Sequence, residues 1–202
     1  MKLALFGYGG HAREVASQIN KIVKFFVDDE YVNEHTHPIS SFDPTTHSMM
    51  VAVADPKERA KIINRLPKET KYFTFIHPTV LIMDKDTIKI GEGSFIGAYS
   101  ILTTNIKLGD HAILNRGNHI GHDSVIGDYF SAMPGSIVSG NVTIGEKVYM
   151  GNNSSVREKI HISSDVIIGA NSTVVKNIIT SGTYVGVPSK FLKKWNYPMK
   201  IN

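Results

Sequence analysis

His122 and Asp123 are adjacent residues whose side chains could carry out acid–base chemistry together. An imidazole can take a proton from an attacking group, and a neighbouring carboxylate can orient the ring and stabilise its charged form. Because consecutive side chains of a strand point to opposite faces, the two can cooperate only at a corner of the backbone. The same pair could also be two solvated side chains at a turn.

Other chemistries have weaker support in the sequence. His119 and His122 could bind a metal, but two histidines without a third ligand nearby are weak evidence for zinc, and we predict no metal. The chain has no cysteine, which excludes disulfides, a thiolate nucleophile and cysteine-ligated zinc. A group transfer would then proceed by direct attack of the acceptor on the donor, with a base that removes its proton, or through a less usual nucleophile.

A six-residue repeat must position this pair. Every sixth residue from Ile90 to Val174 is apolar, and no insertion interrupts the count. The following position is often glycine, which we expect to let the chain turn, and small residues recur four positions after the aliphatic one. This period indicates a β-helix, in which stacked units bury one column of aliphatic side chains. Three units make one triangular turn, so the repeat predicts about five turns.

The residues before the repeat have the pattern of a small α/β domain with a parallel sheet. A strand at residues 2–7 leads through a glycine-rich turn into a helix from about residue 12 to residue 21. Backbone N–H groups at such a helix start attract phosphate, although the glycines could simply permit close packing. A second strand ends at Asp28-Asp29, where carboxylates could contact a ribose or base, or could be solvated.

The rest of the α/β domain is predicted from shorter patterns. We expect strands at residues 49–54 and 72–76, with a helix between them that begins at Pro56 and ends near residue 66. The cations Lys57, Arg59 and Lys61 on this helix are interpreted as a solvated face.

Composition narrows the class of protein. The net charge is +4, and there is no basic run interleaved with aromatic residues, so nucleic acid is not an expected partner. Mild basicity suits small anionic ligands such as phosphates. There is no apolar run long enough to cross a membrane and no recognisable secretory signal, and the lack of cysteine fits a cytoplasmic location.

Four motifs together resemble those of one family. They are G-x-G-G-H-A-x-E-V at residues 7–15, the Asp pair after the second strand, H-D-x-V-I-G-D at residues 122–128, and G-V-P-x-K at residues 186–190. With the six-residue repeat, this combination resembles the sialic acid O-acetyltransferase NeuD family, which includes the nucleotide-sugar N-acetyltransferase PglD. The resemblance extends over nearly the whole chain.

The resemblance implies an architecture and its ligands. It implies a Rossmann-like, nucleotide-sugar-binding domain at residues 1–76 and a left-handed parallel β-helix with a C-terminal tail at residues 77–202. It further implies a homotrimer in which acetyl-CoA lies in the groove between neighbouring coils, while the sugar amine reaches that groove from the N-terminal domain. Phe130 is a bulky residue at a repeat position that is usually small in the family, a departure that concerns the local shape of the donor groove and not the role of His122.

The resemblance also assigns roles residue by residue. It implies that His122 is the catalytic base, that Asp123 supports it and that Asn115 contacts the reaction centre. It implies acceptor contacts at Gly9, Gly10, His11, Asp28 and Asp29. It implies acetyl-CoA contacts at Gly140, Gly151, Gly169, Ala170, Pro188 and Lys190.

We therefore predict an acetyl-CoA-dependent N-acetyltransferase that acts on the 4-amino group of a nucleotide-linked 4-amino-4,6-dideoxysugar, in glycan or lipopolysaccharide biosynthesis. The main alternative is an O-acetyltransferase of sialic acid or another sugar hydroxyl. A zinc hydratase on the same coil, and a binding module that uses the coil only to trimerise, are further alternatives.

Overall fold

The computed structural model describes residues 1–194, in which a small α/β domain is followed by a three-sided coil. Trp195 and the residues after it in the predicted tail lie outside the described residues. The α/β sheet is wholly parallel, with strand order β3-β2-β1-β4-β5. Its elements are β1 (Lys2–Phe6), α1 (Gly10–Gln18), β2 (Val23–Val27), β3 (His37–Pro38), β4 (His47–Val51), α2 (Pro56–Arg65) and β5 (Lys71–Tyr72).

The two helices begin at or close to the residues that the sequence predicts. The side chain of Asp55 caps α2 by accepting hydrogen bonds from the backbone N–H groups of Lys57 and Glu58, at 2.9 and 3.0 Å. Pro56 occupies the first turn, where its missing N–H costs nothing. Helix α1 begins at Gly10, slightly earlier than predicted, and buries Ala12 and Val15.

The coil follows, and its strands cycle through three faces, which we call I, II and III. We name the corners I/II, II/III and III/I after the faces that they join. In chain order from face I, the strands are β6 (Phe75–Ile76), β7 (Leu81–Ile82), β8 (Lys89–Ile90), β9 (Phe95–Ile96), β10 (Ile101–Leu102), β11 (Lys107–Leu108), β12 (Ile113–Leu114), β13 (His119–Ile120), β14 (Val125–Ile126), β15 (Ser131–Ala132), β16 (Ile137–Val138), β17 (Thr143–Ile144), β18 (Tyr149–Met150), β19 (Ser155–Val156), β20 (His161–Ile162), β21 (Val166–Ile168) and β22 (Thr173–Val174).

The strand register confirms the repeat. Each strand pairs in parallel with the strand one turn later, as Leu114 does with Ala132. The aliphatic side chains of the repeat fill the interior of the coil. Two further strands, β23 (Gly182–Val185) and β24 (Lys190–Lys193), extend face I at the C-terminal end.

The coil begins earlier than the repeat suggests. Strand β6 already pairs with β9 of the coil, whereas Tyr72 belongs to the α/β sheet. The strand predicted at residues 72–76 is therefore two strands in two different sheets. Between Ile82 and Ile90 the spacing is longer than six residues, because a short 3-10 turn is inserted there. A strict count in steps of six therefore does not find the first turn of the coil.

The glycines that directly follow the aliphatic residues do not make the turns of the coil, contrary to our expectation. The left-handed residue of each turn comes third after the aliphatic one, and its type varies, as in Tyr99 (φ 60°) and Asn105 (φ 50°). Glycine follows the aliphatic residue because the next turn of backbone lies against it. A Cβ on Gly121 would be 2.6 Å from the backbone nitrogen of Gly140.

The α/β domain packs on face I. Side chains of β1 and α1, including Leu5 and Val15, share an apolar cluster with Phe95, Ile113 and Met133 of the coil. The interpretation of the α2 cations as a solvated face is wrong for Arg59, which is 1% exposed because α2 also lies against the coil. The two domains are thus in direct contact along α1 and α2.

Candidate active site

His122 and Asp123 lie together at corner II/III. His122 Nδ1 is 2.7 Å from Asp123 Oδ2, and the side chains are 55% and 44% exposed. Asp123 has a left-handed backbone (φ 58°), which brings two consecutive side chains to the same side, as the sequence argument required. The pair is therefore accessible to solvent and correctly arranged for a base and its supporting carboxylate.

Asp123 is held from two sides. Asn105, one turn earlier at the same corner, donates from Nδ2 to Asp123 Oδ1 at 2.7 Å. The hydrogen bond with His122 and then that with Asn105 lower the pKa of Asp123 below its usual value. Because an ionised carboxylate only accepts hydrogen bonds, His122 carries its proton on Nδ1 and presents Nε2 as the basic nitrogen.

Gly140 lies one turn after His122 at the same corner. A Cβ on Gly140 would be 2.4 Å from His122 Nε2 and 2.6 Å from Cε1. The absence of a side chain at Gly140 therefore leaves the space that the imidazole occupies. This predicted cofactor-binding residue and the predicted base are neighbours in the structure.

A cavity of about 290 Å³ lies at the C-terminal end of corner II/III. It is lined by Pro188 and Lys190, which the sequence predicted, and by Lys176 and Tyr184, which the sequence reasoning missed. Lys176 occupies the same position within corner II/III as His122 and Gly140, two turns after Gly140. Counting in steps of one turn from His122 would have found it.

Asn115 lies at corner I/II, so the strand β13 of face II separates it from His122. Its side chain is 5% exposed, and its Oδ1 accepts a hydrogen bond from the backbone N–H of Arg116 at 2.7 Å. Gly151, Gly169 and Ala170 share this corner with Asn115. One chain therefore divides the predicted site residues of the coil between two corners.

Packing within the chain accounts for two of these glycines. A Cβ on Gly151 would be 2.6 Å from the backbone nitrogen of Ala170, and one on Gly169 would be 2.7 Å from a methyl group of Val185. The departure at Phe130 lies away from these two corners, because its side chain is fully buried in the interior of the coil.

The glycine-rich turn at residues 7–11 of the α/β domain, which we call the glycine loop, opens onto free space. Gly9 is the N-terminal cap of α1, and a Cβ on either Gly9 or Gly10 would have no atom within 4 Å. Close packing therefore does not explain these two glycines. A ligand could approach the backbone N–H groups at the start of α1.

His11 is held as a neutral ring between the two domains. It packs edge-on against Phe95 with ring centroids 6.1 Å apart, and its buried Nε2 has no hydrogen-bond partner among the described residues. Burial, aided by the charge of Arg59, lowers the pKa of His11 to about 4, although Glu14 opposes the shift. A neutral imidazole with a free nitrogen suits contact with a bound acceptor.

Asp28 and Asp29 lie at the carboxyl end of β2, as predicted. Asp28 Oδ1 forms an ion pair with Arg65 of α2 at 2.5 Å. The Oδ1 of Asp29 accepts the backbone N–H of Ser40 at 3.1 Å, and hydrogen bonds from Ser40 lower the pKa of the Asp29 carboxyl. Both carboxylates are therefore already anchored on one side.

A metal centre and a membrane-spanning helix are two further features that residues 1–194 could contain. Within that range, no cluster of three or more histidine or acidic side chains is placed to hold a metal ion. The same range includes no helix with the length and apolarity that a membrane crossing needs.

This architecture resembles that of the hexapeptide-repeat acyltransferases, and the comparisons with known proteins agree with that resemblance. Residues 2–66 match the family model of the PglD N-terminal domain. No curated protein sequence matches the chain significantly.

Three solved structures share the fold over nearly their whole lengths. PerB from Caulobacter crescentus, in complex with CoA and GDP-perosamine, is 25% identical, with a TM-score of 0.84 over 95% of this chain and 97% of that one. The acetyltransferase domain of PglB from Neisseria gonorrhoeae, in complex with acetyl coenzyme A, is 27% identical, with a TM-score of 0.83 over 95% and 98%. WeeI from Acinetobacter baumannii is 25% identical, with a TM-score of 0.84 over 95% and 99%.

These matches confirm the resemblance to NeuD/PglD-type sugar acetyltransferases that the motifs indicate. They also confirm the predicted fold class, a Rossmann-like domain followed by a left-handed parallel β-helix.

Proposed function

We propose that this protein transfers the acetyl group of acetyl-CoA to the 4-amino group of a nucleotide-linked 4-amino-4,6-dideoxysugar. The observation that carries the proposal is the accessible His122–Asp123 pair at a corner of the coil, with Asn105 behind Asp123 and the His122 ring in the space that Gly140 leaves. The similar structures of PerB and PglB, which hold CoA with GDP-perosamine and acetyl coenzyme A respectively, support this choice of donor and acceptor class.

The reaction needs a group that first accepts a proton from the attacking amine and then donates it to the leaving sulfur. His122 Nε2 accepts a proton from the sugar amine as the nitrogen attacks the thioester carbonyl carbon. Backbone N–H groups of the groove stabilise the resulting tetrahedral oxyanion. The C–S bond then breaks, and the proton passes from His122 to the departing CoA sulfur, which leaves an amide and free CoA. Asp123 stabilises the imidazolium that exists between these two steps.

The donor would lie along corner II/III. Gly140 follows His122 one turn later, and the cavity with Lys176 and Lys190 lies two turns beyond Gly140. At about 4.8 Å between successive strands, Lys176 is about 14 Å along the corner from His122. An extended pantetheine arm could therefore join a thioester at His122 to phosphate groups at these two lysines.

A homotrimer would complete the site. One chain places His122 and Asn115 at opposite edges of face II, so a second copy is needed to bring the two corners together. Face II exposes apolar side chains, with Leu81 49% and Ile137 42% exposed. Packing of face II against a neighbour would bury this surface and form a groove between the coils.

The acceptor would be bound by the α/β domain. The open backbone at Gly9 and Gly10 would take the phosphates, and Asp28 and Asp29 would contact the nucleoside. His11, at the boundary with the coil, would contact the sugar.

The test is an acceptor panel assayed with acetyl-CoA by release of free thiol. We expect rapid release with a nucleotide-linked 4-amino-4,6-dideoxysugar and little with free sialic acid or a sugar hydroxyl. UDP-, dTDP- and GDP-linked acceptors should be compared, and the same preparation should be analysed for zinc. Rapid release with only a sugar hydroxyl would support O-acetylation instead, and sugar binding without thiol release would support a binding module.

A further inference from the structure

Arg59 is a buried guanidinium that connects the two domains. It is 1% exposed and lies on α2, between the α/β domain and corner III/I of the coil. Every hydrogen bond described for it goes to a backbone carbonyl or to a hydroxyl group. The acceptors are Val53 O (2.6 Å), Tyr129 O (2.7 Å), His111 O (2.9 Å), Ser131 Oγ (2.9 Å), Phe130 O (3.1 Å) and Ala54 O (3.2 Å).

This arrangement is costly to build. Burial of a charge is unfavourable, and desolvation lowers the pKa of Arg59 to about 9, so the group remains charged at neutral pH. Its planar fork matches several carbonyls at once, and its removal would take away the described donor of the Val53, His111 and Tyr129 carbonyls. An apolar side chain could fill the same space. The presence of a charged group therefore indicates that its directed hydrogen bonds to both domains are needed.

The segment that Arg59 holds supports the glycine loop. Val53 and Ala54 follow β4 at the carboxyl end of the sheet, where Gly7 also lies. A Cβ on Gly7 would be 3.5 Å from the carbonyl oxygen of Ala52 and 3.7 Å from Val53 Cγ2. Ser131 of the coil strengthens the connection by donating from Oγ to the carbonyl of Ala54 at 2.7 Å.

We propose that Arg59 is a positioning residue that fixes the acceptor-binding glycine loop at a set place relative to the coil. The guanidinium ties the segment beneath this loop to carbonyls at corner III/I of the coil. The sugar amine must reach the coil from the α/β domain, so a small displacement of that domain would misplace the amine. This inference rests on the proposed function, because it assumes that the α/β domain binds the acceptor.

Kinetics of Arg59→Met and Arg59→Lys test the proposal. For Arg59→Met we expect KM for the nucleotide-aminosugar to rise about 10-fold or more and kcat to fall, while KM for acetyl-CoA keeps its wild-type value. Arg59→Lys retains a donor and should recover part of the loss. Ser131→Ala, on the coil side of the same contact, should show the same pattern to a smaller extent, and Asn64→Ala, on the exposed side of α2, should resemble the wild type.

Amide hydrogen exchange gives a readout that needs no activity. In Arg59→Met without substrates, we expect faster exchange in residues 52–56 and at the glycine loop than in the wild type. Unchanged exchange in these segments, or equal increases in both KM values, would overturn the proposal. If the wild type does not acetylate a nucleotide-aminosugar, the proposed function fails, whereas the exchange result still reports whether Arg59 holds the loop.

Discussion

Asp123 contacts His122 because its own backbone is left-handed. The residue type at this position of the turn varies along the coil, which shows that the geometry comes from the fold and not from a particular side chain. The adjacency of a histidine and an acid was visible in the sequence. Whether the two side chains point the same way depended on the position of the corner, which the aliphatic count alone did not give. Asn105 could have been found by stepping back one turn from Asp123.

Asp123→Asn tests the role of the carboxylate. Asparagine tolerates the left-handed backbone, so the fold should be retained, but an amide cannot stabilise the imidazolium as a carboxylate does. We expect kcat to fall by about 10- to 100-fold with little change in KM for acetyl-CoA. Wild-type kcat in the thiol-release assay would show that Asp123 is only a solvated turn residue.

Two buried histidines should make the fold sensitive to acid. Burial lowers the pKa of His11 and of His111 from 6.5 to about 4. The unfolded chain then binds protons at a higher pH than the folded chain, so stability should decrease as the pH falls from 6.5 to about 4. We expect a loss on the order of 1–3 kcal/mol for each histidine, measured by urea unfolding at a series of pH values.

His111→Asn provides the matched variant for the acid effect. Its left-handed backbone (φ 55°) suits asparagine, which occupies the equivalent turn position at Asn105 and Asn141. The variant should show a shallower dependence of stability on pH than the wild type between the same limits. An identical dependence would remove His111 from the explanation.

The strands and turns of the coil were only partly predictable. The six-residue period gave the strand positions, because only a buried aliphatic residue is required at each step. The place of the turn was missed, because the left-handed position accepts Tyr, Asn, His, Asp and Lys. Arg59 was wrongly predicted to be solvated, because the sequence pattern of a helix does not show that another domain covers its polar face.

Two substitutions separate the roles of glycine in the repeat. In Gly127→Ala, the new Cβ would lie 2.9 Å from the backbone nitrogen of Glu146 on the next turn, so the coil must distort. Gly117 has a left-handed backbone (φ 68°) with no atom within 4 Å of an added Cβ, so Gly117→Asn should be tolerated. We expect Gly127→Ala to cost about 1–3 kcal/mol in the free energy of unfolding. Equal stability of the two variants would contradict this account.

For the molecule as a whole, the coil separates the parts of the proposed site. Corner II/III has His122 and Gly140, corner I/II has Asn115, and the glycine loop belongs to the other domain. The sequence could name most of these residues through motifs, but not their division between two corners. That division is what makes a trimer part of the proposed mechanism.

Mixed trimers test whether neighbouring chains share one site. His122→Ala and Asn115→Ala should each have low activity alone. After joint refolding or co-expression, some sites would combine the intact His122 of one chain with the intact Asn115 of its neighbour. For random equal mixing, we expect about a quarter of the sites to be complete. No recovery in trimers verified as mixed would indicate that both residues act within one chain.

The central claim is that His122 is the base for acetyl transfer to a nucleotide-linked aminosugar. The most direct measurement compares the rate of thiol release by wild type and His122→Ala, with acetyl-CoA and a saturating nucleotide-linked 4-amino-4,6-dideoxysugar. We predict that kcat of the variant falls by about 10²- to 10⁴-fold while its oligomeric state stays that of the wild type. Turnover close to that of the wild type would contradict the account.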